Sequence, residues 1–338
     1  MKYSNNILFY PVNRILERAI ASSLSMLGED LLEVAMLDNS VTVADIFLHT
    51  RGNYEQRSFS SNILEPLRDA LEALLTDKYR EQSPSDWADN QNRLGNILAA
   101  QGQQQHDAAL FENAIQCFDH ALEVFKQEES PLEWATTQYN IGTANQALGR
   151  LQEDPKLVNI AIDAYTHALL VWTREASPEE WMMTMHQLGV TFHEHGKLLK
   201  GNRQLQKAVV AYKNALAVLD ADNHAFELTA THNNRAAVLH HLAESEENPE
   251  RLVEAIKSYE KALAVCMEQQ LPFHLAVIIR VNKATAQNVL AELTNDAALA
   301  DEMADEFELI IECFPHALQP LCLKHCEAQM NKAKSLAA

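Results

Sequence analysis

The sequence predicts an all-α protein, a solenoid of stacked antiparallel helix pairs, on three observations. The first is composition: 338 residues carry only 9 Gly and 10 Pro, and 47% of them are hydrophobic. Ala, Leu, Glu and Gln dominate and β-branched runs are scarce, which favours long helices over strands. The second is a motif repeated at a fixed distance. SPSDWADNQNRLG begins at Ser83, SPLEWATTQYNIG at Ser130 and SPEEWMMTMHQLG at Ser177, 47 residues apart each time. The third is another block with the same period, CFDHALEVF, AYTHALLVW, AYKNALAVL and SYEKALAVC, beginning at 117, 164, 211 and 258. A period of this size marks a repeat array, in which each unit is one supersecondary element.

Each unit reads as two helices, A and B. Ser is a favoured N-cap and Pro fits the first helical position, so helix A starts at Ser83-Pro84 and its counterparts. Ser130 with Glu133, and Ser177 with Glu180, have capping-box spacing, which would engage each serine hydroxyl and disfavours its use as a phosphorylation target. Trp87, Leu94 and Leu98 form the apolar stripe of the first A helix, and the Trp column is expected to pack against the adjoining unit. Gly95, Gly142 and Gly189 would permit close helix contact, while Gly102, Gly149 and Gly196 read as left-handed stops. Asp107, Asp154, Gly201, Asn248 and Asn295 form the cap column of helix B, with Ala114, Phe118, Ala121 and Leu122 as the first B stripe.

Clear units begin near 84, 131, 178 and 225, and a weaker fifth begins at Pro272, which makes 84–313 the array. ILEPLRDALEALL within 63–83 reads as helix B of a degenerate preceding unit, and 314–338 as a closing helix. Residues 1–62 read as a helical region in position to cap the array, with an amphipathic helix over about 11–27, a second near 29–37, and VTVADIFL (41–48) unassigned between strand and helix.

The pattern Leu94-Gly95, Leu98, Ala114, Phe118, Ala121 resembles the tetratricopeptide repeat, whose consensus has Leu-Gly in helix A and Ala, Phe or Tyr, and Ala in helix B. The likeness covers roughly 84–313 and exceeds the family's ~34-residue standard by about 13 residues, as in the long-helix repeats of kinesin light chain. The resemblance implies a right-handed α-α superhelix whose A helices line a concave groove for peptides or protein segments. Carried over by column, the groove positions are Asn92, Tyr139, His186, Asn233 and Arg280. Arg93, Asn140, Gln187 and Asn234 follow one residue later; Asn96 and Thr143 lie a turn on, and Gln146, His193, His240 and Gln287 beyond them. A carboxamide both donates and accepts, matching the N–H and C=O of a peptide bond, so an Asn ladder would hold an extended chain without dictating its sequence. Only Arg93 and Arg280 could serve a carboxylate clamp, four units apart.

Other chemistries find little support. With 27 basic against 47 acidic residues the net charge is −20, which disfavours nucleic acid and anionic bilayers. No apolar run is long enough to span a membrane, and Pro11 and Arg14 interrupt the opening stretch, so no signal peptide is read. Five cysteines without framework spacing point to the cytoplasm. HEHG (193–196), HH (240–241) and CLKHC (322–326) are candidate metal ligands, but the convergence that zinc needs is missing and no metal or other cofactor is expected. Nucleophile, phosphate-loop and dinucleotide motifs are missing, so no catalytic residue is assigned. Two functions remain: an adaptor or scaffold that binds a protein segment in the groove, and a regulator that answers a signal peptide or small ligand there.

Overall fold

The A helices all end in the same turn, a left-handed residue directly before the cap of the following B helix. In the computed structural model residues 61–314 and 320–338 are described; the helices expected within 1–60 lie outside them. The described residues form thirteen α-helices and no strand: α1 (Ser61–Leu74), α2 (Asp77–Gln82), α3 (Pro84–Gln105), α4 (Ala108–Val124), α5 (Pro131–Gln152), α6 (Pro155–Ala168), α7 (Pro178–Leu199), α8 (Asn202–Leu216), α9 (Ala225–Glu246), α10 (Pro249–Glu268), α11 (Phe273–Thr294), α12 (Ala297–Cys313) and α13 (Pro320–Ala337). Helices α3, α5, α7, α9 and α11 are the A layer; α4, α6, α8, α10 and α12 are the B layer. Each packs on its chain neighbours, and A helices also touch the next A helix. The fold is thus an all-α helical-repeat solenoid.

Position by position, α1 stands where the B helix of a unit preceding α3 would, since it starts 47 residues before α4. The stretch 63–83 is two helices, because the chain breaks at Leu75 and Thr76 and Thr76 caps α2. At the other end α13 starts 47 residues after α11, packs on α11 and α12, and so occupies the place of a sixth A helix. Asn331 on α13 is exposed.

The helix boundaries differ from expectation in three ways. Ser83, Ser130 and Ser177 stand at the N-cap but none accepts a cap bond through its side chain, so the capping boxes do not form. Their ψ angles of 72°, 64° and 66° fall short of the 100–157° at Thr76, Asp107, Asp154 and Asn248, whose side chains do accept from the first-turn amides. Ser130 instead donates to the Lys126 carbonyl at 3.4 Å. The hydroxyls are therefore not tied up as caps.

Second, the glycines at 102, 149 and 196 are not the left-handed stops. That conformation belongs to His106, Glu153, Lys200, Glu247 and Asn295, with φ between 48° and 52°. Each glycine is the acceptor of the closing bond instead: the N–H of Asp107, Asp154 and Gly201 reaches the carbonyl of Gly102, Gly149 and Gly196 at 2.9–3.0 Å. A side chain there would collide with helix B, a Cβ on Gly196 lying 2.6 Å from Leu205. The left-handed residue and the B cap are consecutive, so the A-to-B turn has no slack. Because L-residues are strained in that conformation, Lys200→Gly is expected to stabilise the protein by about 1 kcal/mol in urea titration. A neutral or destabilising result would show the strain to be absent.

Third, the fifth unit is displaced by one residue. The A caps (83, 130, 177, 224, 272), left-handed stops (106, 153, 200, 247, 295) and B caps (107, 154, 201, 248, 296) step by 47 three times and then by 48. The extra residue lies between α10 and Pro272, where Gln270 takes up a left-handed φ of 52°. Asn295 is consequently a stop and Asp296 the cap of α12. With this register Ala284, fully buried, continues the column of Gly95, Gly142, Gly189 and Ala236. Phe307 likewise continues Phe118, Tyr165, Tyr212 and Tyr259. This column of buried rings against small residues is the spine of every helix pair. The Trp column serves two units: Trp87 packs with Ala121 and Phe125 of its own B helix and with Trp134 of the next unit.

Candidate binding surface

Side chains of the A layer either bond to the next A helix or remain open, and this division is set by three columns. A threonine column comes first. Thr137, Thr184 and Thr231 each donate their hydroxyl to the carbonyl four residues back, at Glu133, Glu180 and Glu227 (2.6–2.7 Å). Each oxygen is thereby left as an acceptor facing the preceding unit. Asn92 donates to Thr137 Oγ1 at 2.8 Å. His186 Nδ1 lies 2.8 Å from Thr231 Oγ1, so its proton resides on Nδ1. Tyr139 replaces the polar link with ring contacts, 5.4 Å from Tyr165 and 5.7 Å from Trp172 between centroids. Asn233 is fully buried and accepts from Asn282 at 3.2 Å.

Arg280 does not belong to this column. The inserted residue aligns it with His232, and Val281 takes the place of Asn233. Its guanidinium grips Glu306 of α12 through two bonds, 2.6 and 2.9 Å, and that carboxylate holds its pKa up. The same shift puts Asn288 where Gln287 was expected, and Asn288 donates to Gln329 of α13 at 2.9 Å.

The third column is also occupied by the fold. Gln146 accepts from the Tyr165 hydroxyl and donates to Glu194, both at 3.0 Å, while Arg150 flanks Glu194 at 3.6 Å. His193 Nε2 lies 2.9 Å from His241 Nδ1. His240 is buried with Glu244 at 3.8 Å. Burial pushes His186 and His240 down to about 4 and His193 to about 3, with the His325 imidazole adding to the effect at His240 and Lys197 at His193. All three are neutral at pH 7.

What remains accessible to solvent is the column of Arg93, Asn140 and Gln187 and the turn after it. Arg93 is exposed, 3.2 Å from Asn90. Asn96 and Thr143 are exposed, and Asn140 and Gln187 are half-buried. Asn234, their equivalent in the fourth unit, is fully buried. The open side chains therefore lie on α3, α5 and α7. The threonine column and Glu194 were not singled out from the sequence, and Tyr165 was read only as part of the apolar B stripe; the signal available was threonine at 47-residue spacing two places before the expected groove column.

Among the described residues no three His, Cys, Asp or Glu side chains are grouped to hold a metal. His193 and His195 diverge, one to His241 on α9 and the other to Gln204 on α8 at 3.1 Å. In CLKHC the two thiols are buried in the α11–α13 core, whereas His325 reaches Thr285 at 3.0 Å. No described helix is long and apolar enough to cross a membrane. Fold and surface together define a helical-repeat protein. No family model matches the chain, and no curated protein matches it.

Proposed function

We propose that the chain is an interaction module of the tetratricopeptide kind, an adaptor or scaffold that holds an extended segment of a partner protein along the A layer of α3, α5 and α7. One observation carries the reading: the side-chain amides of Asn96, Asn140 and Gln187 are accessible and have no hydrogen-bond partner among the described residues. Neighbouring polar columns are spent on bonds between units. Unpaired carboxamides at successive units suit the alternating N–H and C=O groups of a peptide backbone. The surplus of 47 acidic over 27 basic residues gives no electrostatic footing for nucleic acid, which favours a protein partner. The test is co-purification from the native cell with wild-type protein and with the pair Asn140→Ala, Gln187→Ala. Neither residue is in the buried ladder, so the variant should melt as wild type and lose its partner. Undiminished capture by the variant would exclude this surface.

A further inference from the structure

We propose that the seam between α7 and α9, held by His186–Thr231 and His193–His241, is an acid-sensitive joint at which the array loosens while the units before it stay closed. Geometry carries this. The two polar bonds of the seam that run through imidazoles, at 2.8 and 2.9 Å, are both part-buried, and His193 itself is only 3% exposed. In the His193–His241 pair one ring must donate and the other accept, so the bond needs an unprotonated acceptor. A first proton would put a charge inside the seam beside Lys197; a second would set donor against donor and break the bond. His186 has its Nδ1 proton committed to Thr231, and its ring stands T-shaped to that of Tyr212, 5.6 Å between centroids. A proton on its other nitrogen would be a buried charge.

The charged and titratable groups around the seam do not neutralise such a charge. On α7 they are Lys197 and Glu194, and Glu194 is occupied by Gln146 and Arg150 of α5. On α8, Lys207 lies over Phe192 and faces His195. On α9 they are His240 and Glu244, with His325 of α13 beyond. Burial holds His186 and His193 well below the ordinary imidazole value, so the direction is fixed. Above about pH 6.5 neither folded nor open chain gains a proton. Below it the open chain binds protons that the closed seam refuses, and the closed-to-open ratio falls about tenfold per pH unit for each histidine until the folded value is reached.

Location makes the response local. Buried histidines begin at α7; on α3 to α6, His106, His120 and His167 are exposed or half-exposed. Stability in a stacked array is a sum over units and nearest-neighbour interfaces, so one interface can weaken alone. Net repulsion cannot produce the effect, because acidification toward the pI of about 5.1 lowers the chain's charge.

Hydrogen exchange resolved by mass spectrometry, with rates corrected for intrinsic pH dependence, tests this at pH 7.5 and 5.8. Protection of α7 and α9 should fall by roughly tenfold or more, while that of α4 to α6 is unchanged. The double variant His193→Gln, His241→Gln, which can keep a bond without titrating, should show a smaller fall. Should it not fold, the wild-type pattern decides alone. A fall spread evenly over the chain, no fall at α7 and α9, or an equal fall in a folded double variant overturns the proposal.

Discussion

Gly189→Val should lower the stability of the protein by about 3 kcal/mol, the upper end of the range for overpacking, seen as an earlier urea midpoint. A Cβ at Gly189 would lie 2.5 Å from Cε1 of Tyr212, closer than non-bonded carbons come. The ring cannot retreat, because Tyr212 is fully buried and packs with Leu205, Val238 and Leu242. Valine adds branching that the helix also disfavours. Gly189→Ala is the informative control, since roughly 1 kcal/mol of helix propensity offsets part of the collision. The native chain already carries alanine in this column at Ala236 and Ala284, opposite Tyr259 and Phe307. A valine variant with the parent midpoint would mean that the helix pair opens freely, against the close approach described here.

Tyr165→Ala should cost about 3–5 kcal/mol, the usual penalty for deleting a large buried ring, and Tyr165→Phe about 1–2 kcal/mol. Tyr165 is fully enclosed in α6 and packs with Leu188 and Ala211 of the next unit. Its hydroxyl donates to Gln146 at 3.0 Å, and Thr143 lies 3.2 Å away. Removing only the hydroxyl leaves the Gln146 carbonyl without that donor inside the A layer, where an unmet acceptor is expensive. Both values come from equilibrium urea titration. If phenylalanine costs nothing, water replaces the bond and the Gln146–Glu194–Arg150 chain is not anchored from the B layer.

Much of this architecture was legible in the sequence because repetition multiplies weak signals. One Leu-Gly pair says little, but Leu94-Gly95, Ile141-Gly142 and Leu188-Gly189 at equal spacing fix a helix face, and the small-against-aromatic spine follows from it. The caps at Asp107, Asp154 and Asn248 were readable for the same reason. The fifth unit misled because its columns were extended by a strict period, and an inserted residue carries no mark in the letters themselves. That error placed Arg280 on the binding face when it grips Glu306. The serine caps misled differently: residue type gave the position of Ser83, Ser130 and Ser177, but their bonding depends on a ψ angle that composition does not encode.

The proposed binding face was only half legible. Polar side chains of the A helices face either solvent, as Asn96 does, or the neighbouring helix, as Asn92 does. Asn140 and Asn234 share a column, yet one is accessible and the other sealed. Residue type does not separate them; the burial each receives from its neighbours does.

The left-handed residue at Gln270 shows where this chain can change length. Its turn repeats the closing bond used between A and B helices, Leu271 N–H to the Cys266 carbonyl at 2.9 Å, but here it falls between units. One residue added inside α11 would rotate everything after it by about 100° and carry Lys283 into the slot of Ala284, against Phe307. Added before Pro272, it changes nothing downstream but the numbering. Insertions and deletions therefore have a natural home in the B-to-A connections, while the A-to-B turns keep the phase. Such a chain can lengthen, shorten or duplicate its units without losing step.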